Sequence, residues 1–245
     1  FVWTSNLNLS HNSGKIKTLW GNNSYYNGNG FPAPGTPGDA ARIEEGSTIG
    51  KFFIWKWAGF DDNGNFLLYD KDNNVIPAEK KTELDKRYMG DYNPKVIASW
   101  NNTFTYKNWD LGINMRSWID FDVFNTMNMY FGIQGRGNNN VLKDAYGKFD
   151  HIRGEKQICD YYLEDGTFLK IDAITLGYTF DMTKYTKFVK NIRLWGTCGN
   201  VCCITGYSGM NPEVNISGWD QGTEKFWDGY YPMARTWTFG MQFNF

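Results

Sequence analysis

The clearest structural signal in the chain is the run Thr236-Trp237-Thr238-Phe239-Gly240-Met241-Gln242-Phe243-Asn244-Phe245, in which large apolar residues alternate with small or polar ones. Because successive side chains of a β-strand point to opposite faces, this alternation predicts a strand with one apolar and one polar face. Soluble proteins tend to end in polar, frayed segments, so an apolar stripe that continues to a terminal phenylalanine favours a strand in a membrane.

A second pair of alternating segments lies in the middle of the chain. Apolar residues share one face in residues 95–106, interrupted by Asn102, and again in residues 109–119, and the turn Lys107-Asn108 separates the two segments. This arrangement predicts a β-hairpin. Strands of this length fit the roughly 9–11 residues that cross a bilayer at a tilt, whereas globular strands commonly have about 5–6.

About nine strands are predicted in all, and the connections between them alternate in length. The strands are residues 2–10, 15–20, 51–60, a stretch from 65, 95–106, 109–119, 168–180, 192–204 and 236–245. The short connections are residues 11–14, 61–64 and 107–108, the long ones are 21–50, 70–94, 120–165 and 205–235, and residues 181–191 form one of moderate length. Membrane barrels alternate in this way because periplasmic turns are short and extracellular loops are long.

The sequence therefore predicts an all-β protein, a transmembrane antiparallel β-barrel, with Phe245 at the periplasmic rim. Nine strands cannot close such a barrel, and its edges must be paired, so we expect the chain to be part of a larger one. The chain also begins in mid-pattern at Phe1-Val2-Trp3 without a signal peptide. We therefore expect an amino-terminal part outside these residues.

Composition agrees with a barrel and argues against other classes. Aromatic residues make up 18% of the chain, which suits the girdles that barrels place at both membrane interfaces. The mean hydropathy is −0.54, and no run approaches the roughly 18 apolar residues of a helical span. The net charge of −1 gives no electrostatic argument for binding nucleic acid.

Several segments, in order along the chain, resemble the SusC/RagA family of TonB-dependent outer-membrane transporters. They are residues 2–10 with Lys15-Ile16, residues 50–59, residues 68–75, residues 93–111, residues 163–178, residues 207–213 and residues 231–240. The most recognisable is the hairpin Asn101-Asn102-Thr103-Phe104-Thr105-Tyr106-Lys107-Asn108-Trp109-Asp110-Leu111. Together they cover nearly the whole chain. Cys198, Cys202 and Cys203 depart from the family pattern, and their role is open.

The resemblance implies a barrel of about 22 strands, the size class of plugged outer-membrane transporters. Residues 1–245 are then its carboxy-terminal part, and the plug and the TonB-binding segment lie outside them. The implied function is TonB-energised uptake of oligosaccharides or oligopeptides through the outer membrane, with a SusD-like surface lipoprotein as a lid. The family also implies contact with outer-membrane lipid, a dimer of SusC–SusD pairs, no cofactor, and an assembly signal at Phe243 and Phe245.

One predicted extracellular loop concentrates aromatic and acidic residues. Trp219, Trp227, Tyr230 and Tyr231 share it with Asp220, Glu224 and Asp228. Aromatic faces pack on the C–H groups of sugars, and carboxylates accept hydrogen bonds from their hydroxyl groups. The four aromatic residues are therefore candidates for contact with substrate or with the lid protein. The alternative is that their rings pack the loop on itself or join the interfacial girdle.

Other chemical candidates are better explained structurally. Cys202 and Cys203 are adjacent on a strand and face opposite sides, so they do not converge easily on a metal ion. Asp70, Asp72 and Asn74 have the early spacing of a calcium loop, but the expected glycine and distant glutamate are missing, so an ordinary Asp/Asn turn is favoured. The segment Asp61-Asp62-Asn63-Gly64 is likewise a turn signal.

No catalytic constellation is apparent in the sequence, so we do not expect an enzyme. His11 and His151 have no serine or cysteine at a recognisable nucleophile spacing. The sequence leaves two other functions open. A soluble all-β carbohydrate-binding module would bury the apolar strand faces, and a siderophore or cobalamin receptor would have the same barrel without a tightly bound lipoprotein lid.

Overall fold

A computed structural model describes residues 1–21, 24–27, 38–134, 140–214 and 233–245. The described strands are β1 Val2–Ser10, β2 Tyr25–Asn27, β3 Arg42–Glu44, β4 Phe52–Ile54, β5 Trp57–Phe60, β6 Phe66–Tyr69, β7 Val75–Pro77, β8 Arg87–Met89, β9 Val96–Tyr106, β10 Trp109–Ile119, β11 Asp122–Phe124, β12 Leu163–Asp165, β13 Phe168–Asp181, β14 Asn191–Thr205 and β15 Thr236–Asn244. The helices are α1 Thr126–Phe131 and the 3-10 turns Ala78–Lys80, Glu83–Asp85, Lys143–Tyr146 and Asp160–Tyr162.

Six long strands form one antiparallel sheet, here called the wall sheet, in the order β1-β9-β10-β13-β14-β15. Its strands have 9 to 15 residues, long enough to cross a bilayer at a tilt. Chain neighbours such as β9 and β10 pair directly, because a two-residue turn returns the chain antiparallel to itself. The predicted fold class is confirmed.

The wall sheet has one apolar and one polar face, as the alternation predicts. Tyr178 pairs with Trp109 on one side and Leu194 on the other, and Leu194 pairs with Met241, so one row of large apolar side chains crosses four strands. One position along, Asp110, Gly177, Trp195 and Gly240 form a row on the opposite face. Because residues of one face pair with residues of the same face on the next strand, the apolar stripes of separate strands merge into one surface.

The apolar face is open in the part of the chain that the structure describes. Along β15, Trp237 is 66% exposed, Phe239 79% and Met241 57%. A soluble carbohydrate-binding module requires these side chains to be buried in a core. Their exposure argues against that alternative and favours a surface that meets lipid.

The polar interruption of the apolar face at Asn102 is covered by indole rings. The Trp3 Nε1–H group donates to Asn102 Oδ1 at 3.0 Å, and Asn102 is only 4% exposed. On the neighbouring row, Trp100 Nε1 donates to Ser5 Oγ at 2.7 Å. A polar group next to lipid is costly unless it is hydrogen-bonded. The indole N–H groups of Trp3 and Trp100 donate to Asn102 and Ser5, and the apolar parts of the rings face outward.

All long connections of the wall sheet lie at one end. Residues 11–95 join β1 to β9, residues 120–167 join β10 to β13, and residues 206–235 join β14 to β15. The opposite end holds the turn Lys107-Asn108 and residues 182–190. We call these the loop end and the turn end. Within the wall sheet the predicted alternation of short and long connections is confirmed, and Phe245 lies at the turn end.

The expected count of about nine wall strands is corrected to six among the described residues. Residues 15–20 form no strand, although Ile16 exchanges backbone hydrogen bonds of 2.9 Å with Gly46 and Ser47. Residues 51–60 and the stretch from residue 65 supply the short strands β4, β5 and β6 of two smaller sheets. Alternation shows that a strand has two environments but does not show which sheet the strand joins, so the sequence could not place these strands outside the wall.

The first two long connections pack against each other and form a compact unit, here called the loop body (residues 38–94, 121–134 and 140–167). Trp55 N donates to Ile158 O at 3.1 Å, and Arg153 N donates to Gly64 O at 3.0 Å, so backbone hydrogen bonds join the two connections. Each large apolar side chain buried here contributes about 1.5–3 kcal/mol. The core side chains include Phe52, Ile54, Trp55, Phe66, Leu68, Phe124, Met129, Tyr130, Ile133, Phe149, Ile152, Ile158, Cys159 and Tyr162.

The single α-helix of the described residues, α1, belongs to the loop body. Asn125 caps its amino terminus, because Asn125 Oδ1 accepts a hydrogen bond from Asn128 N at 2.9 Å. The Gly132 N–H closes its last turn on Asn128 O at 2.9 Å. Among the described helices, none has the length and apolar character that a membrane-spanning helix needs.

Candidate functional site

The polar face of the wall sheet carries a salt bridge near its turn end. Arg193 on β14 donates to Asp110 on β10 through two nitrogens, with Nε–Oδ1 at 2.9 Å and Nη2–Oδ2 at 2.5 Å. The two side chains are 28% and 27% exposed. A two-point arginine–carboxylate contact fixes both orientations as well as contributing energy. The pair therefore holds a defined charge pattern on this face.

Gly177 allows the Asp110–Arg193 pair to form. This glycine lies on β13, between the strands that carry the two charged residues. A Cβ atom at Gly177 would lie 2.5 Å from Asp110 Oδ1 and 2.6 Å from Arg193 Nη2. The salt bridge therefore occupies the space that a side chain at position 177 would need.

Trp195 lies in the same row and was not singled out from the sequence. It is half-buried on the polar face, and its indole leans over Gly240 of β15, where a Cβ atom would meet the ring. The next row holds Thr175 and Thr197, whose hydroxyl oxygens are 2.7 Å apart. A ring beside hydroxyl groups and a charge pair can contact a polar oligomer. The sequence is sufficient to identify Trp195, because it occupies a position of β14 at which the alternation predicts a residue on the polar face.

A second charged cluster lies toward the loop end of the same face. Lys170 Nζ on β13 donates to Glu213 Oε2 at 2.7 Å, and Arg116 on β10 contacts the other oxygen, with Nη1–Oε1 at 2.5 Å. Arg116 Nε also donates to Asp172 Oδ2 at 2.7 Å. Two cations and two carboxylates thus balance each other. Such balance is what burial of charge requires.

A β-bulge places Asp172 in that cluster. The register of β13 shifts between Ile171 and Ala173, against both β10 and β14. Asp172 has no partner in either ladder, and its side chain turns to Arg116. Bulges commonly re-aim a side chain in this way.

The segment that follows β14, here called the hook (residues 207–214), folds back onto the wall. Glu213 of the hook is completely buried, and Lys170 is only 3% exposed. Tyr207 and Val214 of the hook are also buried, in a small core with Phe121, Val123 and Phe168. Charge pairing and apolar packing therefore fix the hook at both of its ends.

Glu164 joins the hook to the loop body. Its Oε2 accepts a hydrogen bond from Ser208 N and its Oε1 from Ser208 Oγ, both at 2.8 Å. Asn125 Nδ2 also donates to Glu164 Oε1 at 2.8 Å. One carboxylate thus connects the hook, β12 and the start of α1, so Glu164 has a structural role.

The predicted contact residues Trp219, Trp227, Tyr230 and Tyr231 lie outside the described residues, as do Asp220, Glu224 and Asp228. The hook leads into this segment. The predicted assembly residues lie at the turn end: Phe243 pairs with Ile192 on the apolar face, and Phe245 is 76% exposed. Their assembly role stays a prediction.

The cysteines divide between three environments. Cys198 and Cys202 lie on the apolar face, in register with Ile174 and Ile171. Cys203 is exposed on the polar face, where its register partner on β13 is Lys170. Cys159 lies in the core of the loop body, where burial raises the pKa of its thiol. Among the described residues, no three His, Cys, Asp or Glu side chains gather as a metal site would require.

The two Asp/Asn motifs form matching turns. Asp61 Oδ1 accepts hydrogen bonds from the backbone N–H groups of Asn63 and Asn65, and its Oδ2 accepts one from Asn65 Nδ2. The Asp70 carboxylate accepts the equivalent hydrogen bonds from the backbone N–H groups of Asp72 and Asn74 and from Asn74 Nδ2. The side-chain hydrogen bond from the asparagine lowers the pKa of each aspartate. Both carboxylates serve the turns, as the sequence predicted.

The two histidines have structural surroundings. His11 Nδ1 lies 2.5 Å from Lys95 O at the loop end of the wall. The His151 ring packs edge-on against Phe60 at 5.0 Å in the loop body.

An antiparallel sheet with long strands, one open apolar face, one polar face and its long connections at a single end defines a membrane-barrel wall. Over its whole length the chain is similar to the TonB-dependent receptor P3 of Formosa agariphila, at 24% identity. It is also similar to the TonB-dependent receptor SusC of Bacteroides thetaiotaomicron, at 25% identity. The resemblance to the SusC/RagA family is thereby confirmed.

Solved structures show the same fold. The chain superimposes on the RagAB peptide transporter with a TM-score of 0.73, at 17% identity and over 98% of its residues. It matches the RagAB peptide importer in its open-open state with a TM-score of 0.71, at 18% identity and over 99% of its residues. No family model matches the chain.

The chain spans about a quarter of these relatives: 27% of receptor P3, 24% of SusC and 27% of each RagAB chain. The relatives' names describe receptors and transporters.

Proposed function

We propose that residues 1–245 form the carboxy-terminal part of the barrel of a SusC-type importer in the outer membrane of a bacterium. The observation that carries this proposal is the wall sheet, which presents a continuous apolar face on one side and a polar, charged face on the other. Lipid meets the first face, and the water-filled lumen meets the second. The loop end is extracellular, and the turn end is periplasmic.

The polar face suits the passage of polar oligomers. It offers hydroxyl groups at Thr175 and Thr197, an indole at Trp195, and the fixed pair Asp110–Arg193. These groups can offer hydrogen bonds and ring contacts to a solute. A wall of this kind lets a solute move from contact to contact, as a transport path requires.

The loop body and the hook give the importer a firm extracellular structure. A SusD-like lipoprotein docks there and delivers the substrate, and TonB acts through a segment outside these residues. The aromatic residues Trp219, Trp227, Tyr230 and Tyr231 contact the substrate or the lid protein. Dimerisation of the importer–lipoprotein pair belongs to the same proposal. The SusC and RagAB relatives support it.

The substrate is an oligosaccharide or an oligopeptide. The name of the RagAB relatives favours peptides, and the cluster of aromatic and acidic residues in the 205–235 connection favours sugars. No reacting groups are needed for either, so the importer is not an enzyme.

Deletion of the gene for the full-length protein tests the proposal. We expect the deletion strain to lose growth on one class of oligomer as the only carbon source while it still grows on the matching monomers. Complementation with the wild-type gene restores growth, and dissipation of the proton gradient abolishes uptake. Normal growth of the deletion strain on every oligosaccharide and oligopeptide mixture contradicts the proposal.

Co-purification separates this importer from a siderophore or cobalamin receptor. We expect the full-length protein, extracted from the outer membrane in mild detergent, to carry a lipoprotein in a fixed ratio. A receptor that purifies alone, together with uptake of an iron chelate or of cobalamin, favours the competing function.

A further inference from the structure

The apolar face of the wall sheet contains a groove along β14. Two small residues of this strand, Gly196 and Cys198, lie between larger partners on the neighbouring strands: Leu176 and Ile174 on β13, and Phe239 and Trp237 on β15. Small side chains flanked by large ones on both sides leave a furrow. Its volume is about 790 Å³, and Trp109, Tyr178, Leu194 and Cys202 complete its apolar lining.

Arg235 is the only charged residue that lines this groove in the part of the chain that the structure describes. It directly precedes β15 and lies beside Val201, toward the loop end of the wall. Its Nη2 donates to Val201 O at 2.7 Å, its side chain is exposed, and it takes part in none of the described ion pairs. A guanidinium group has five N–H donors, so Arg235 has donors left for a ligand.

A cation next to lipid is costly unless it reaches the membrane surface, where water and anionic headgroups stabilise it. The lining below Arg235 is mainly apolar, which suits a hydrocarbon chain better than a sugar or a peptide, and the groove opens on the face turned away from the lumen. Arginine also binds phosphate oxygens at two points. An apolar furrow with one arginine at its outer end therefore matches an acyl chain that carries a phosphate group.

We propose that this groove binds one acyl chain of a membrane lipid with a phosphate headgroup, and that Arg235 binds the phosphate. The inference rests on the proposed placement of the wall sheet in the membrane, with the loop end outside. The lipid then belongs to the outer leaflet. Its chain fills the furrow over Gly196 and Cys198, and its headgroup lies beside the connection that leads into β15.

The test uses the full-length protein, delipidated in detergent and titrated with dioleoyl phosphatidylglycerol or with dioleoylglycerol, which lacks the phosphate. Native mass spectrometry counts bound lipids. We expect Arg235→Gln to weaken the phospholipid complex about 10-fold, the loss that removal of one charge-assisted contact produces. Binding of dioleoylglycerol should not change. Cys198→Phe fills the furrow and should weaken both complexes.

Two control variants carry matched changes elsewhere. Lys95→Gln removes a cation at the loop end outside the groove, and Leu7→Phe enlarges an apolar side chain on β1. Both should bind lipid as the wild type does. Heat-modified mobility on gels verifies that each barrel is folded. Equal phospholipid binding by Arg235→Gln, Lys95→Gln and the wild type overturns the proposal.

The lipid proposal and the importer proposal fail in different ways. If the protein transports oligomers but Arg235→Gln retains phospholipid, only the lipid site is wrong. If the protein is absent from the outer membrane, the importer proposal itself is wrong.

Discussion

Lys170 and Glu213 form a salt bridge of 2.7 Å between two side chains that are 3% and 0% exposed. Lys170 belongs to β13 of the wall sheet, and Glu213 belongs to the hook. A buried charge without its partner is strongly destabilising, so the hook holds its place on the wall as long as this pair and the contact of Glu213 with Arg116 persist.

Replacement of Glu213 tests this attachment. Glu213→Gln leaves Lys170 without its buried countercharge, while Arg116 keeps Asp172, and should cost about 3–5 kcal/mol. We expect the full-length protein in detergent to become cleavable by protease within residues 206–235, at a lower temperature than the wild type. Asp72→Asn is the matched control, because the Lys71–Asp72 pair is exposed on both sides.

The double variant Lys170→Met with Glu213→Leu removes both charges of the pair. Replacing a buried ion pair by apolar residues is often neutral, so we expect most of the protease resistance to return. If Glu213→Gln alone is as resistant as Asp72→Asn, the pair does not hold the hook.

The neighbours Cys202 and Cys203 report on the two faces of the wall. We expect a charged, water-soluble thiol reagent to modify Cys203 in the full-length protein embedded in membrane, because it lies on the polar face, and to leave Cys202 unmodified. An uncharged, membrane-permeant maleimide should reach both. Single-cysteine variants measured by mass spectrometry separate the two signals. If the charged reagent modifies Cys202 and Cys203 at similar rates, the assignment of the two residues to opposite faces is wrong.

Gly177 should be needed for the salt bridge that spans it. Gly177→Val places a side chain where Asp110 and Arg193 meet, and we expect it to lower stability by about 1–3 kcal/mol, the cost of a lost charged hydrogen bond. Asp110→Asn should have a similar effect. Because the two changes remove the same contact, the double variant should cost less than their sum.

Gly112→Val is the control for Gly177→Val. It lies one row further along the same face, where a Cβ atom would meet only the Thr175 Cβ, at 4.0 Å. Thermal unfolding of the full-length protein in detergent gives the comparison. A loss of stability as large at Gly112 as at Gly177 contradicts the steric explanation.

The turns at Asp61 and Asp70 should make the sheet β5-β6-β7 sensitive to acid. Hydrogen bonds hold the pKa of each carboxyl below its ordinary value of 3.8, so the folded state binds protons less readily than the unfolded state. The stabilisation is complete above that ordinary value and is lost as the pH falls through the folded pKa. We expect hydrogen exchange in residues 57–77, corrected for its intrinsic rate, to accelerate in that window.

The variant Asp61→Asn with Asp70→Asn serves as the comparison, because its side chains do not titrate. Its exchange in residues 57–77 should lack the acid-dependent step. A step of equal size in both proteins would mean that other groups control it.

The terminal aromatic residue can be tested by assembly. We expect Phe245→Ser to reduce the amount of full-length protein that folds into the outer membrane, because the resemblance to the SusC/RagA family implies an assembly signal at Phe243 and Phe245. Phe180→Ser is the control, since Phe180 is also an exposed phenylalanine near the turn end of the apolar face. Equal membrane yields for the two variants and the wild type count against an assembly role.

The faces of the wall and the direction of its strands were predictable from the sequence. The alternation in residues 109–119 and 236–245 depends only on the two-residue repeat of a strand, which is local. The turns at Asp61 and Asp70 were predictable for the same reason, because each carboxylate bonds to residues two and four positions on.

The loop body was not predictable, because its contacts join distant parts of the chain. Residues 51–60 alternate like a wall strand, yet Ile54 packs in a core with Ile158 and Tyr162. The contacts of Glu213 with Arg116 and Lys170 likewise connect residues that are 97 and 43 positions apart. Trp195 is different: its place on the polar side of the alternation in β14 is local information, so the sequence alone is sufficient to identify it.

The core of the loop body draws on two stretches of chain that a membrane-crossing hairpin, β9 and β10, separates. Neither stretch buries Trp55 or Tyr162 by itself. A protein that acquires only one of the two stretches from a relative therefore lacks about half of the residues of this core. Exchange of outer surfaces between such receptors, in nature or in the laboratory, must therefore move residues 38–94 and 121–167 together.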